Sequence, residues 1–194
     1  MPASIWLAAS CPVVKGLNRR SSSLRAWVVG TLSMGALVLP VAAQAPALAM
    51  SAPWAQAMCS AWNADPTLTD KLAASGWAGN DAGRGFKLMQ IYRADCPKSP
   101  RIEMQIVLKD RQALCVYGGA SRGTKLDAGA DYLMWADSTR WREMGGGDYG
   151  PMRAMMLGRL SFEGPRLEAM GNMGPFESFL LLTGKVPGDW SSCP

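Results

Sequence analysis

Arg101-Ile-Glu-Met-Gln-Ile-Val-Leu-Lys109 alternates more cleanly than any other stretch of the chain. Ile102, Met104, Ile106 and Leu108 fall on one side of an extended backbone. Glu103, Gln105 and Lys109 fall on the other, with Val107 alone out of step. Successive side chains of a strand face opposite sides, so this segment predicts a β-strand with one apolar face and one wet face. That pattern belongs to antiparallel pairing.

The neighbouring segments extend the sheet. Residues 86–94 carry Met89, Ile91 and Tyr92 in a second extended run, and Asp95-Cys-Pro-Lys-Ser-Pro100 supplies a turn. Asp110-Arg111 turns the chain into a strand over 112–118, with Leu114, Val116 and Tyr117, and residues 131–136 form another. Before the strands, Trp54, Met58 and Trp62 repeat at helical spacing over 53–63, and Leu68 and Leu72 continue that pattern. The Gly- and Asn-rich run 76–85 predicts a loop.

After the strands, Ser138-Thr139 opens a short helix that the glycines of 145–150 break. Pro151 starts another helix, with Met152, Met155, Met156 and Leu160 on one face. Residues 160–164 and 166–171 predict a final extended segment kinked at Gly164-Pro165. Phe176, Phe179, Leu180 and Thr183 then stack along a terminal helix that Gly184 and Pro187 stop. The expected class is α+β: a single sheet of about five strands, largely antiparallel, covered by helices.

The first 49 residues read as a cleavable export signal. Lys15, Arg19, Arg20 and Arg25 precede an uncharged apolar run from Ala26 to Val41, and small-residue sites follow at Ala43-Gln-Ala45 and Ala47-Leu-Ala49. Cleavage is expected near Ala49, because Pro46 stands directly behind the first site. Gly30, Gly35 and Pro40 argue against a membrane-spanning anchor. Arg19-Arg20 leaves the choice between general and twin-arginine export open. The expected mature protein is one periplasmic or secreted domain over 50–194. Of 20 basic and 15 acidic residues, the leader holds four basic and no acidic ones. The remainder is nearly neutral and gives no support for nucleic-acid binding, so no nucleic-acid partner is expected.

Cys59, Cys96, Cys115 and Cys193 are disulfide candidates in an exported chain, and their spacing leaves all three pairings open. The chain contains no histidine, which removes Ser-His-Asp and Cys-His catalysis and the usual zinc sites. The carboxylates lie in turns or on wet strand faces, so no catalytic pair and no cofactor is expected. Gly145-Gly-Gly-Asp-Tyr-Gly150 satisfies a dinucleotide-loop spacing, but no buried strand precedes it. Eleven of 13 methionines follow the leader. They read as core filling, as a deformable pocket wall, or, at Met152-x-x-Met155-Met156, as soft ligands for cuprous copper. Core and pocket are the favoured readings, and no metal site is expected.

From Ala130 onward the order resembles the sterol carrier protein type-two domain. The residues concerned are Ala130-Asp-Tyr-Leu-Met-Trp-Ala-Asp137, Trp141, Gly158-Arg-Leu160, Phe162-Glu-Gly164 and Leu167-Glu-Ala-Met170, with Leu160-x-x-x-Gly164 leading to the end of the domain. The match spans roughly 101–182. It implies helices and a five-stranded sheet enclosing an apolar tunnel for fatty acids, sterols or related lipids, with no catalytic residues. Pro165 replaces an acidic residue common in the family, and the cysteines and leader are not typical of it.

The expected function is therefore non-enzymatic lipid binding and transfer. The expected lining is Ile102, Met104, Ile106 and Leu108 of the sheet, with Met134. Met152, Met155, Met156, Phe176, Phe179 and Leu180 would close over them. The terminal helix acts either as a plain cover or as a lid that touches a membrane transiently. The alternative is an accessory subunit with a solid core that meets another exported protein.

Overall fold

The computed structural model describes residues 45–194; the charged and apolar parts of the expected leader lie outside them. Ser51 caps helix α1 (Ala52–Asn63) by accepting from the Trp54 N–H, and Asp65 caps α2 (Pro66–Ala74) by accepting from the Thr67 N–H at 2.8 Å. A 3₁₀ turn at Trp77–Gly79 lies inside the expected loop.

Five strands follow the expected order: β1 (Lys87–Arg93), β2 (Ile102–Lys109), β3 (Gln112–Ala120), β4 (Tyr132–Ala136) and β5 (Ser161–Glu163). They form one sheet in the order β3-β2-β1-β4-β5. β1 and β4 pair in parallel, and the other three pairings are antiparallel. Helix α3 (Ser138–Gly146) and α4 (Pro151–Met156) connect β4 to β5, and α5 (Arg166–Gly171) and α6 (Met173–Lys185) follow.

Register puts Met89 beside Met104 and Tyr132, and Ile91 beside Ile102 and Met134. These residues form the inner face, where they join Trp54, Met58 and Trp62 of α1, Leu68 and Leu72 of α2, and Phe176, Phe179 and Leu180 of α6. The Cys59–Cys115 disulfide ties α1 to β3, and Cys96–Cys193 ties the turn after β1 to the C-terminal tail. The tail also gives its Ser192 carbonyl to the buried Arg93 guanidinium at 2.7 Å.

Two expectations change. Residues 166–171 are helical, since Pro165 stands at the N-terminal cap of α5 and its missing N–H is no loss there. Glu103 and Gln105 are buried rather than wet. The Glu103 carboxylate accepts from Gln90 and Gln105 amides (3.2 and 2.8 Å), the Ser121 hydroxyl and the Arg122 N–H (both 3.2 Å). Those four donors replace water, as a buried carboxylate requires. The glycines of 145–150 end α3 as expected, and Gly145 also serves helix packing: a Cβ there would lie 2.6 Å from the Gly184 nitrogen, where α3 crosses α6.

The expected cleavage near Ala49 falls within the described residues. There Leu48 bridges to Asp189, and Ala49 and Met50 are buried.

Candidate functional site

Two spaces meet at α5, one apolar and one mixed. The first is a cleft between the inner sheet face and the helices. Trp62, Leu68, Leu72, Trp77, Met89 and Tyr132 form its floor and one wall, and Ala169, Asn172, Pro175, Phe176 and Phe179 form the other. Its aromatic rings interlock. Trp62 lies 6.0 Å from Trp77 and 6.2 Å from Phe179, and Trp77 meets Tyr132 edge-on at 5.6 Å. The free volume left is about 20 Å³, room for roughly one water. In this conformation the cleft is closed.

Its far end is polar. The side chain of Lys87 is fully buried, and its Nζ sits 4.7 Å from the Trp77 ring centre and 5.1 Å from that of Tyr132. The ammonium donates to Glu168 Oε1 at 2.7 Å and to the Asn80 carbonyl at 3.1 Å. The Tyr132 hydroxyl accepts from Trp77 Nε1 and donates to the same Glu168 oxygen at 3.0 Å. Burial pushes the Lys87 pKa down, with Glu168 opposing the fall. Burial pushes the Tyr132 phenol far up, and Glu168 adds to that rise.

The second space is an open trough of about 700 Å³ beside edge strand β5. Met152, Met155, Met156 and Leu160 line it from the α4 side, Trp135, Ser161, Phe162 and Glu163 from the sheet, and Arg166 and Met170 from α5. Phe162 separates the two spaces: its ring lies 4.9 Å from Tyr132 and 5.9 Å from Phe176, both of the cleft. Helix α5 divides them as well, with Met170 in the trough and Ala169 in the cleft.

The sequence-predicted residues therefore fall in four places. Met152, Met155 and Met156 come together in the trough. Phe176 and Phe179 line the closed cleft. Ile102, Met104, Ile106, Met134 and Leu180 are in the packed core, and Leu108 is half exposed at the far end of β2. Trp77, Lys87, Tyr132, Phe162, Glu168 and Met170 were missed as site residues. Met170 and Phe162 carried a usable signal, being apolar residues beside the Gly164-Pro165 kink. Lys87 at the start of a strand reads as an ordinary surface cation.

Among the described residues, no three His, Cys, Asp or Glu side chains gather in a way that could hold a metal ion. No described helix is long and apolar enough to cross a membrane.

The fold and site define an α+β protein with one mixed five-stranded sheet, a closed aromatic cleft and a methionine-lined trough. No family model matches the chain, and no curated protein matches it. Among solved structures it is similar to a crystal structure of sterol carrier protein 2, at 18% identity and a TM-score of 0.48, over 71% of this chain and 98% of that one. It is also similar to a conserved hypothetical protein from Thermus thermophilus, suggested in its description to be a sterol carrier protein. That match has 20% identity and a TM-score of 0.44, over 77% and 99% of the two chains. Sterol carrier protein 2 from Yarrowia lipolytica gives 15% identity and a TM-score of 0.38, over 71% and 98%.

Proposed function

We propose that this protein is a non-enzymatic carrier that binds and transfers an apolar ligand carrying an acyl chain or comparable lipid body. The observation that carries the reading is the trough of about 700 Å³, lined mainly by methionine and aromatic side chains with Ser161, Glu163 and Arg166 among them. Ligand pockets occupy about 300–1,000 Å³, and unbranched methionines adapt to chains of varied shape. Each buried methylene contributes about 0.8 kcal/mol, so such a guest needs few polar contacts. The closed cleft behind Phe162 and α5 is the deeper part of the same site, filled by its own rings until α5 moves.

The trough's rim supports transient contact with a lipid surface. Leu157 and Leu167 are 55% and 85% exposed, with the exposed Arg153 and Arg166 beside them. Apolar tips flanked by arginines suit an anionic bilayer. This rim takes the role expected of Phe179–Leu182, since Phe179, Leu180 and Leu182 are buried. The leader and two disulfides support a periplasmic or secreted location.

The small free volume of the cleft favours a second reading, an accessory subunit whose exposed methionines meet another exported protein. Solvent extraction of the purified protein, followed by mass spectrometry, separates the two. A carrier yields a co-purified lipid in near-stoichiometric amount after exposure to lipid extract. A solid-cored subunit yields none and instead retains a protein partner on an affinity column.

A further inference from the structure

Helix α5 is fastened to the sheet by one carboxylate. Glu168 receives a buried ammonium and a buried phenol on a single oxygen, at 2.7 Å from Lys87 and 3.0 Å from Tyr132. A further donor, the Asn80 side-chain amide, reaches its other oxygen at 2.8 Å. The cation beneath it is out of water altogether and faces two aromatic rings. Trp77 and Tyr132, which carry those rings, also line the apolar cleft. The polar cluster is thus the closed end of the cleft, and α5 carries both its wall, Ala169, and its plug, Glu168.

A buried ammonium stripped of its carboxylate partner is strongly disfavoured. Moving α5 aside to widen the cleft strips Lys87 in that way unless another anion arrives. An acyl chain with a free acid supplies one at the place Glu168 leaves, and charge-assisted hydrogen bonds to Lys87 and Tyr132 are then remade. A sterol, ester or alcohol fills the apolar part without supplying that charge.

We propose that Lys87 and Tyr132 form a carboxylate-binding site at the end of the cleft, self-capped by Glu168, and that the acid group of a fatty acid displaces Glu168 when α5 opens. This rests on the carrier reading and narrows its ligand to free acids. Glu168 is then an internal competitor that keeps the empty protein closed, and Lys87 sets the preference for an anionic head. The lowered pKa of Lys87 agrees with a cation that depends on its partner.

The test is calorimetric titration of the full mature protein with palmitic acid and with hexadecanol. Wild type is expected to bind the acid about tenfold or more tightly than the alcohol. K87M should bind both equally. E168Q should gain about tenfold for both, because the empty protein no longer has a Lys87–Glu168 pair to break, and should keep the preference for the acid. If E168Q does not fold, the double variant K87M/E168Q, which leaves no unpaired charge, should fold and show no preference. Equal binding of acid and alcohol by wild type, or an acid preference that survives in K87M, overturns the inference and leaves the carrier intact. Failure of wild type to bind either compound overturns the carrier reading, and this inference with it.

Discussion

The backbone N–H of Ala49 donates to the carbonyl of Asp189 at 2.8 Å, and the Asp189 N–H returns to the Ala47 carbonyl at the same distance. Processing after Ala49 would remove this two-bond pairing, each bond contributing about 1 kcal/mol, and would free the segment that leads into the C-terminal tail. The mature N-terminus is therefore predicted upstream of Ala47. Intact-mass measurement of the exported protein checks this. A mature chain beginning at Met50 would contradict it.

The Cys96–Cys193 disulfide joins residues 97 apart and anchors the tail beside Arg93. Closing so long a loop in the unfolded chain stabilises by about 4.7 kcal/mol in the entropic account. A C96S/C193S variant is expected to lose about 2–4 kcal/mol. Chemical denaturation measures it, and a change under about 0.5 kcal/mol would show the tail to be energetically idle.

Tyr132 gives the protein an alkaline limit. Burial raises its native pKa above the value of about 10 in an unfolded chain. The folded protein then holds an extra proton, so this group's stabilisation is complete below pH ~10 and declines as pH rises beyond it, by up to about 1.4 kcal/mol per pH unit. Lys87 runs the other way, since its native pKa is lowered. Its unfavourable contribution fades as pH rises and is gone by about 10.5. Denaturation midpoints above that pH should fall less steeply in Tyr132→Phe than in wild type. Identical slopes would contradict the phenol's role.

The trough's rim can be altered without touching the core. Leu167→Asp adds a charge at a side chain already in solvent, so its effect on stability should stay within about 0.5 kcal/mol. Flotation with anionic phospholipid vesicles should show weakened association for this variant and for Arg166→Glu. Unchanged flotation in both would remove the rim from the account.

The strands were legible because Ile102, Met104 and Ile106 repeat every second residue and because Asp95–Pro100 and Asp110-Arg111 carry turn chemistry. Helix α5 was not, since six residues give too little periodicity, and its apolar Leu167 and Met170 are exposed. The burial of Glu103 depends on Ser121 and Arg122, which follow the next strand, and alternation alone cannot report that. The site was half legible. The methionines of α4 fall on one helical face, and the structure brings them into one trough. Lys87 and Glu168 lie 81 residues apart, and only the placement of α5 beyond β5 joins them. The cysteine pairing likewise needed α1 laid on β3 and the tail returned to the end of β1.

Direct titration with an environment-sensitive fluorescent fatty acid tests the central claim most closely. The account predicts saturable binding of one probe per chain with emission typical of an apolar site, weakened by Met170→Asp while the fold is kept. Emission that stays that of the free probe at every protein concentration would contradict it.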